Sequence, residues 1–404
     1  MILTLTANPS LDRTIELGGP VLRGQVQRAV WAGQQPGGKG VNVSRAVAGA
    51  GRPTRAVLPG DGDDPVLTGL DAIGLAHDSI PTGAPIRSNI TVTEPDGTTT
   101  KINEPGTALT PARQAEVIDL VAGLAADADW VVLAGSLPPG VEDDFYARTI
   151  TAVRQLPQPP SIAVDTSGAP LAEALRQSPD LIKPNAEELA ELLAAAGLLE
   201  EAGLLDDTDL GPDADADIGP DADADIGPDA DADLAGSAQK VGRLQATRLR
   251  TSQVRDIADR LESSPELTAQ ATRTLLNSAG ARPRSILATL GAGGAVLAVP
   301  DGSWHGQHPP VEVVSTVGAG DSTLAGYLLA RTDGDEPHVA LARAVAYGAA
   351  AASLRGTGLP TPADARLDTV TVTPLIASQA EAQRRQNSRH LNQHEGAAPE
   401  AEEA

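Results

Sequence analysis

The residues best suited to chemistry lie in the stretch Ser315-Thr316-Val317-Gly318-Ala319-Gly320-Asp321. An apolar run ends there in a Gly-rich turn, and Ser322 to Ala330 follows with a helical pattern. Glycines leave backbone N–H groups at a helix start open, and the helix dipole favours an anion there. An acid beside such a cradle is awkward if anion binding is the only task. Asp321 makes chemical sense as a base that takes a proton from a hydroxyl. Gly318, Ala319 and Gly320 would then hold a phosphoryl group in transit. Taken alone, the stretch better suits a capped loop-to-helix junction with Asp321 as a first-turn acid.

A second Gly-rich stretch, Pro36-Gly37-Gly38-Lys39-Gly40-Val41-Asn42-Val43, frames a lysine. An ammonium over backbone donors suits a substrate phosphate or a crossing phosphoryl group. The span from Gly33 to Gly40 nearly matches a P-loop, but Gly40 stands where Ser or Thr should hold Mg2+. No clear long strand precedes it either, so a P-loop nucleoside triphosphatase is rejected. Arg87 and Lys101 fall on two alternating stretches joined by Pro95-Asp96-Gly97, a hairpin signal. With Lys39 they would focus positive charge on a small phosphorylated substrate in an otherwise acidic chain. Asn185 and Glu188 stand three apart at a helix start and can face one side. They suit a hydrated Mg2+, and they suit an ordinary helix cap as well.

The elements that must position these groups follow from the hydrophobic pattern. Apolar runs at 2–6, 54–58, 130–134, 162–165 and 285–290 read as strands. Helical patterns at 64–73, 111–126, 144–156, 186–195 and 339–354 alternate with them. The alternation predicts an α/β fold with a mostly parallel sheet covered on both faces. Ligands in such sheets sit beyond the C-terminal ends of the strands. Asp165, Asn185 and the loops at Gly135, Gly291 and Gly318 all follow strands in this way. Short stretches at 13–30 and 87–102 predict a small sheet apart from the main one.

Composition narrows the alternatives. The formal net charge of -24 over 404 residues argues against nucleic acid as a partner. No cysteine occurs, which removes disulfides, thiolate nucleophiles and Cys-ligated metals. No basic leader and no membrane-length apolar run is visible, so a cytoplasmic location without membrane partners is expected. One region interrupts the α/β pattern. The octad Gly211-Pro212-Asp213-Ala214-Asp215-Ala216-Asp217-Ile218 recurs from Gly219 and from Gly227. Residues 200–240 hold 12 Asp, 2 Glu and 1 Lys, a balance of -13 and over half of the whole net charge. Such a segment cannot bury a core, and its spacing does not fit an EF-hand loop. The expected organisation is a main domain from 1–199 and 255–377, an acidic low-complexity insert at 200–254, and a disordered tail at 378–404.

Together the two Gly-rich stretches resemble the amino-end and carboxyl-end signatures of the PfkB, or ribokinase-like, carbohydrate kinases. Within that family Thr6-Ala7-Asn8-Pro9-Ser10-Leu11-Asp12, Arg87-Ser88-Asn89, Gly135-Ser136-Leu137-Pro138-Pro139-Gly140 and Lys183-Pro184-Asn185 look most like 1-phosphofructokinase and tagatose-6-phosphate kinase. The resemblance implies a ribokinase-like three-layer sandwich with a small β-sheet lid, formed from about 12–35 and 85–103. It implies ATP and Mg2+ as cofactors, a phosphorylated ketohexose as substrate, and a possible homodimer through the lid. By resemblance Asp321 is the base, and Gly318, Ala319 and Gly320 form the anion hole. Asp12, Gly38 and Asn42 hold sugar hydroxyls, while Lys39, Arg87 and Lys101 hold or approach the sugar's phosphate. Lys183, Asn185, Thr289, Gly291, Gly293 and Gly294 border the nucleotide, with residues 346–358 near the adenine. Asn185 and Glu188 position Mg2+ through water. The implied reaction is fructose 1-phosphate to fructose 1,6-bisphosphate. Tagatose 6-phosphate and fructose 6-phosphate remain alternative substrates, and a non-catalytic sugar-phosphate-binding scaffold is an alternative of another class.

Overall fold

Strand β1 (Ile2–Thr6) is buried at every position, and its alternation feeds both faces of the main sheet. Leu3 and Leu5 enter one core, and Ile2 enters the other. The computed structural model describes residues 1–205, 251–278, 282–356 and 358–376. The acidic octads and the expected tail lie outside the described residues.

After β1 the chain leaves the main sheet through β2 (Ser10–Leu17) and β3 (Ala29–Gly37), and α1 (Lys39–Gly49) brings it back. It continues through β4 (Thr54–Pro59), α2 (Pro65–Ala72) and β5 (His77–Ile80). A second departure makes β6 (Arg87–Thr93) and β7 (Thr99–Asn103) on either side of the Pro95-Asp96-Gly97 turn. Strands and helices then alternate as the pattern predicts. They are α3 (Pro111–Ala125), β8 (Trp130–Ala134), α4 (Phe145–Arg154), β9 (Ser161–Asp165), α5 (Gly168–Leu175), β10 (Leu181–Ile182) and α6 (Ala186–Ala196). Beyond residue 250 come α7 (Thr251–Ser263), α8 (Pro265–Asn277), β11 (Ile286–Thr289), β12 (Ala295–Val299) and β13 (Gly302–Gln307). The described chain closes with α9 (Ala319–Thr332), α10 (Pro337–Ala352) and β14 (Thr371–Ile376).

The main sheet has ten strands in the order β14-β13-β12-β11-β10-β9-β8-β1-β4-β5. Pairing is parallel from β5 to β11 and antiparallel at β12, β13 and β14. Helices α3 to α8 cover one face, with Val117, Phe145, Leu171, Leu189, Ile257 and Leu275 in one core. Helices α1, α9 and α10 cover the other, through Val43, Leu324, Leu328, Leu341 and Tyr347. The result is the expected three-layer α/β sandwich. Among the described residues no helix is long and apolar enough to cross a membrane.

The lid is a separate four-stranded sheet, ordered β3-β2-β6-β7, in which β2 runs parallel to β6. Two expectations are corrected here. The Gly-Gly-Lys stretch does follow a long strand: β3 runs through Pro36 and Gly37 straight into α1. Its Gly- and Pro-broken sequence hides it, because only the pairing with β2 defines it. The main domain is also larger than 1–199 and 255–377. Ala202 and Leu204 are fully buried in the core beside Leu261, and α7 begins at Thr251. Any insert is shorter than 200–254 by those folded residues.

Candidate active site

Lys39, Asn42 and Arg45 lie three residues apart along α1, so one side of that helix carries all three toward the sheet's C-terminal edge. The helix starts at Gly38, whose φ of 107° is a conformation that favours glycine. A Cβ on Gly40 would lie 2.9 Å from the carbonyl oxygen of Leu5, and the Val41 N–H donates to Thr6 Oγ1 at 2.9 Å. The glycines therefore seat the start of α1 directly on the end of β1.

On the opposite side, Gly318 caps α9 with φ 80°, and Asp321 sits in the first turn, buried. Helix geometry leaves the Gly320 and Asp321 N–H groups without intrahelical acceptors. The Ala319 N–H reaches the Thr316 carbonyl at 3.4 Å, so it is the least available of the expected anion-hole amides. A Cβ on Gly320 would stand 3.5 Å from Lys183 Nζ. The missing side chain leaves an ammonium and open amides facing one space, an arrangement that fits an anionic phosphoryl group.

Asn42 joins the two sides. Its Nδ2 donates to Asp321 Oδ2 at 2.9 Å, and both residues are buried. Burial and the Asp165 charge push the Asp321 carboxyl up to about 6, against the opposing pull of Lys39, Asn42 and Lys183. A carboxylate with that proton affinity is well matched to base chemistry near neutral pH.

Asp165, fully buried at the end of β9, is the hub of the charges below this pair. Lys39 Nζ donates to its Oδ1 at 2.8 Å, and Lys183 Nζ lies 3.3 Å from its Oδ2. Burial opposes the Asp165 charge, but Lys183 and Lys39 outweigh it and hold the carboxyl below its usual range. Burial likewise opposes the charge on Lys39, and Asp165 and Glu188 more than compensate, so its pKa is raised. Lys39 Nζ also stands 3.6 Å from Glu188 Oε1. Lys39 therefore faces two carboxylates.

Asn185 and Glu188 form a reciprocal capping box at the start of α6: Oδ1 accepts from the Glu188 N–H at 2.7 Å, and Oε2 accepts from the Asn185 N–H at 2.9 Å. Among the described residues no group of three or more His, Cys, Asp or Glu side chains is placed to hold a metal directly. The donor set fits a hydrated Mg2+ held by one carboxylate and by substrate phosphates, with Glu188 Oε1 still free of the cap. Beside it, Thr289 bridges Asn185 across parallel backbones, and its N–H donates to the Pro184 carbonyl at 3.0 Å. The turn Gly291–Gly293 follows, with Gly294 at φ 89° closing it by accepting the Leu290 N–H at 2.9 Å. These residues make one ledge at the strand ends, at the position where the family resemblance leads one to expect a nucleotide.

The lid supplies the remaining wall. Asp12 pairs with Gln35 and Asn89, Thr14 pairs with Thr91, and Thr91 pairs with Lys101. Residues in register or two apart share a face, so Asp12, Thr14, Gln35, Asn89 and Lys101 all lie on one face. A Cβ on Gly356, in the loop after α10, would lie 3.3 Å from Thr14 Oγ1 and 3.5 Å from Gln35 Nε2, so this face turns toward the body. Asp12 Oδ1 accepts from Ser10 Oγ at 2.7 Å and from Asn89 Nδ2 at 3.3 Å, and its carboxylate lies against Gly37. Burial pushes the Asp12 carboxyl up, against those hydrogen bonds and the charges of Arg45 and Arg87. Asn89 Oδ1 is buried without a donor among the described residues, which fits a sugar hydroxyl.

The three expected phosphate-binding cations have different surroundings, Lys39 being paired with Asp165 and Glu188. Arg87 donates to the carbonyls of Glu104 at 2.8 Å and Asn8 at 3.2 Å, anchoring the lid to the end of β1. Lys101 sits on exposed β7, and its ammonium has no ion-pair partner among the described residues. Sequence reasoning singled out Asp165 as an acid at a strand end but did not include it among the site residues. It missed Arg45, which no motif marks.

Carbohydrate kinases of the ribokinase-like fold are the class of protein to which this arrangement corresponds. The sequence profile described as pfkB family carbohydrate kinase matches residues 5–209 and 254–364, and the chain belongs to that family. A 1-phosphofructokinase of Haloferax volcanii is 31% identical over 363 residues, covering 89% of this chain and 93% of the relative. An ATP-dependent 6-phosphofructokinase isozyme 2 of Mycobacterium tuberculosis is 35% identical over 205 residues, 49% of this chain and 58% of that protein. Among solved structures, phosphofructokinase-2 of Escherichia coli in complex with fructose-6-phosphate superposes with a TM-score of 0.67 at 23% identity, covering 90% of this chain and 96% of that one. A possible 1-phosphofructokinase of Thermotoga maritima gives a TM-score of 0.64 at 19% identity, covering 93% and 99%. At those identities the structural likeness establishes the fold alone. At the level the family fixes, the chain is an ATP-dependent sugar-phosphate kinase.

Proposed function

We propose that the protein transfers the γ-phosphoryl group of ATP to the 6-hydroxyl of fructose 1-phosphate, giving fructose 1,6-bisphosphate and ADP, with Asp321 as the general base. The observation that carries this reading is the buried Asn42–Asp321 pair beside the open amides at Gly320 and Asp321. Asp321 takes the hydroxyl proton as the oxygen attacks. The α9 amides and Lys183 meet the charge on the transferring group. Mg2+, when bound near Asn185 and Glu188, supplies charge neutralisation on the nucleotide phosphates. Asp12, Gly38 and Asn89 orient the sugar, and the lid face excludes water from the reacting centre. Lys101 and the remaining N–H groups of Arg87 approach the sugar's own phosphate from the lid.

The nearly full-length match to a 1-phosphofructokinase supports fructose 1-phosphate as the acceptor. The shorter match at 35% identity favours fructose 6-phosphate as the second reading. A pocket that reads phosphate at one end and hydroxyl at the other admits either orientation. An ADP-release assay with fructose 1-phosphate, fructose 6-phosphate and tagatose 6-phosphate decides among them by kcat/KM. Comparable turnover of unphosphorylated fructose would sink the phosphate-reading pocket.

The lid's other face supports a homodimer. Ile15, Ile90, Val92 and Ile102 share it by register, and Ile102 is 56% exposed. Such a patch suits a second copy of the chain. Sedimentation of native protein against Ile102→Lys tests it: the variant is expected to be monomeric, and an unchanged mass would refute the lid contact.

A further inference from the structure

Arg45 is half-buried, yet it makes no ion pair with a described residue. Its guanidinium donates instead to the carbonyl of Pro36 at 3.0 Å and to Gln35 Oε1 at 3.0 Å, both on lid strand β3. The same Nη1 also reaches Asn42 Oδ1 at 3.4 Å. Gln35 faces two ways, because its Nε2 borders Gly356 in the loop after α10. One side chain thus touches the end of the lid and the residue that holds Asp321.

A guanidinium has only donors. It therefore fixes which end of the Asn42 amide faces it. The oxygen turns to Arg45, and the NH2 group turns to Asp321. Without that donor only the Asp321 carboxylate orients the amide, and the hold on its oxygen from the lid side is lost. We propose that Arg45 is a positioning residue that links lid strand β3 to the Asn42–Asp321 pair, so that the lid's placement over the sugar phosphate orients the base. This rests on the reading of Asp321 as the base.

The other charges facing the pair come from separate elements. Asp165 on β9, Lys39 on α1 and Lys183 after β10 face Asp321, and Asp12 on β2 faces Arg45. Arg45→Met keeps these groups but removes the guanidinium's donors together with the positive charge that faces Asp12.

The test is steady-state kinetics with MgATP and fructose 1-phosphate, or fructose 6-phosphate if that is the better acceptor, across the pH range of the Asp321 transition. Arg45→Met is expected to lower kcat about tenfold, equivalent to ~1.4 kcal/mol of barrier. It should also move the acidic limb of the kcat profile upward by about half a pH unit. Arg45→Lys, which keeps a donor, should recover most of both effects. Gln35→Leu should raise KM for the sugar phosphate severalfold and move the limb in the same direction by less. A folded Arg45→Met enzyme with its acidic limb at the native position overturns the proposal, even if its melting temperature has dropped. If Arg45→Met does not fold, an unmoved limb in Gln35→Leu overturns it equally. Near-native turnover in Asp321→Asn would instead remove the base reading itself.

Discussion

Asn42 and Asp321 are 279 residues apart in sequence and share a buried hydrogen bond of 2.9 Å. One belongs to the Gly-rich stretch that follows the lid, the other to the Gly-rich start of α9. The bond draws the two stretches into one centre, and it gives Asp321 a partner that keeps its carboxylate from pointing freely into the anion cradle.

Asp321→Asn should lower kcat by about 10²- to 10⁴-fold while leaving KM for the sugar phosphate within a few-fold. In the native enzyme the base must be ionised, so kcat/KM should rise with pH through about 6 and level off above it. A pH-rate profile measured on the native protein checks this. A rate that is flat through that region would show that another group takes the proton.

The same carboxyl has a consequence for stability. Its proton affinity is raised on folding, from 3.8 to about 6, so between those values the folded state holds more proton than the unfolded chain. Stability from this group is complete below the lower value and is lost as pH rises through the upper one. Asp321→Asn removes the dependence. The variant should melt a few degrees above the native protein at neutral pH, a gap on the order of 1–3 kcal/mol, and the gap should close toward pH 4. Paired melting curves at the two pH values test the sign, and a variant less stable than native at neutral pH would contradict it.

Gly37→Ala should act on the sugar rather than on the phosphoryl group. A Cβ there would collide with the Asp12 carboxylate, which Ser10 and Asn89 hold in place. Displacing Asp12 should raise KM for the sugar phosphate about tenfold, ~1.4 kcal/mol, with a smaller effect on KM for ATP. Isothermal titration with the sugar phosphate separates this from a general loss of fold.

Deleting residues 206–236 should leave folding and turnover nearly intact. The folded residues on either side of that region touch each other: Arg260 Nη1 donates to the Leu204 carbonyl at 3.0 Å, and Leu204 packs in the same core as Ile257 and Leu261. Residues 237–250 still join the two sides after the deletion. The assay should include KM for ATP, because α7 also borders the ledge expected to hold the nucleotide, with Glu262 beside Gly291. A lost or greatly slowed reaction would make the acidic octads part of the catalytic unit.

Local pattern made most of the fold legible. Fully apolar strands such as Val131-Val132-Leu133 and the helices between them require a parallel sheet covered on both faces, because each strand is hydrophobic on both sides. The two Gly-rich stretches were legible too, since a positive φ at Gly38 and Gly318 favours the residue type that stands there. Strands β3, β13 and β14 were not, because they are polar or broken and exist only through their partners.

The sequence by itself therefore determined the α/β class, the family and the residues that gather at the strand ends. Tertiary structure decided what each charged group faces. Lys39 turns to Asp165 and Glu188, Arg87 is engaged by backbone carbonyls, and Arg45 joins the lid to Asn42. The physical reason is that a buried charge takes whatever partner offsets its desolvation, and that partner is set by long-range packing rather than by neighbours in sequence.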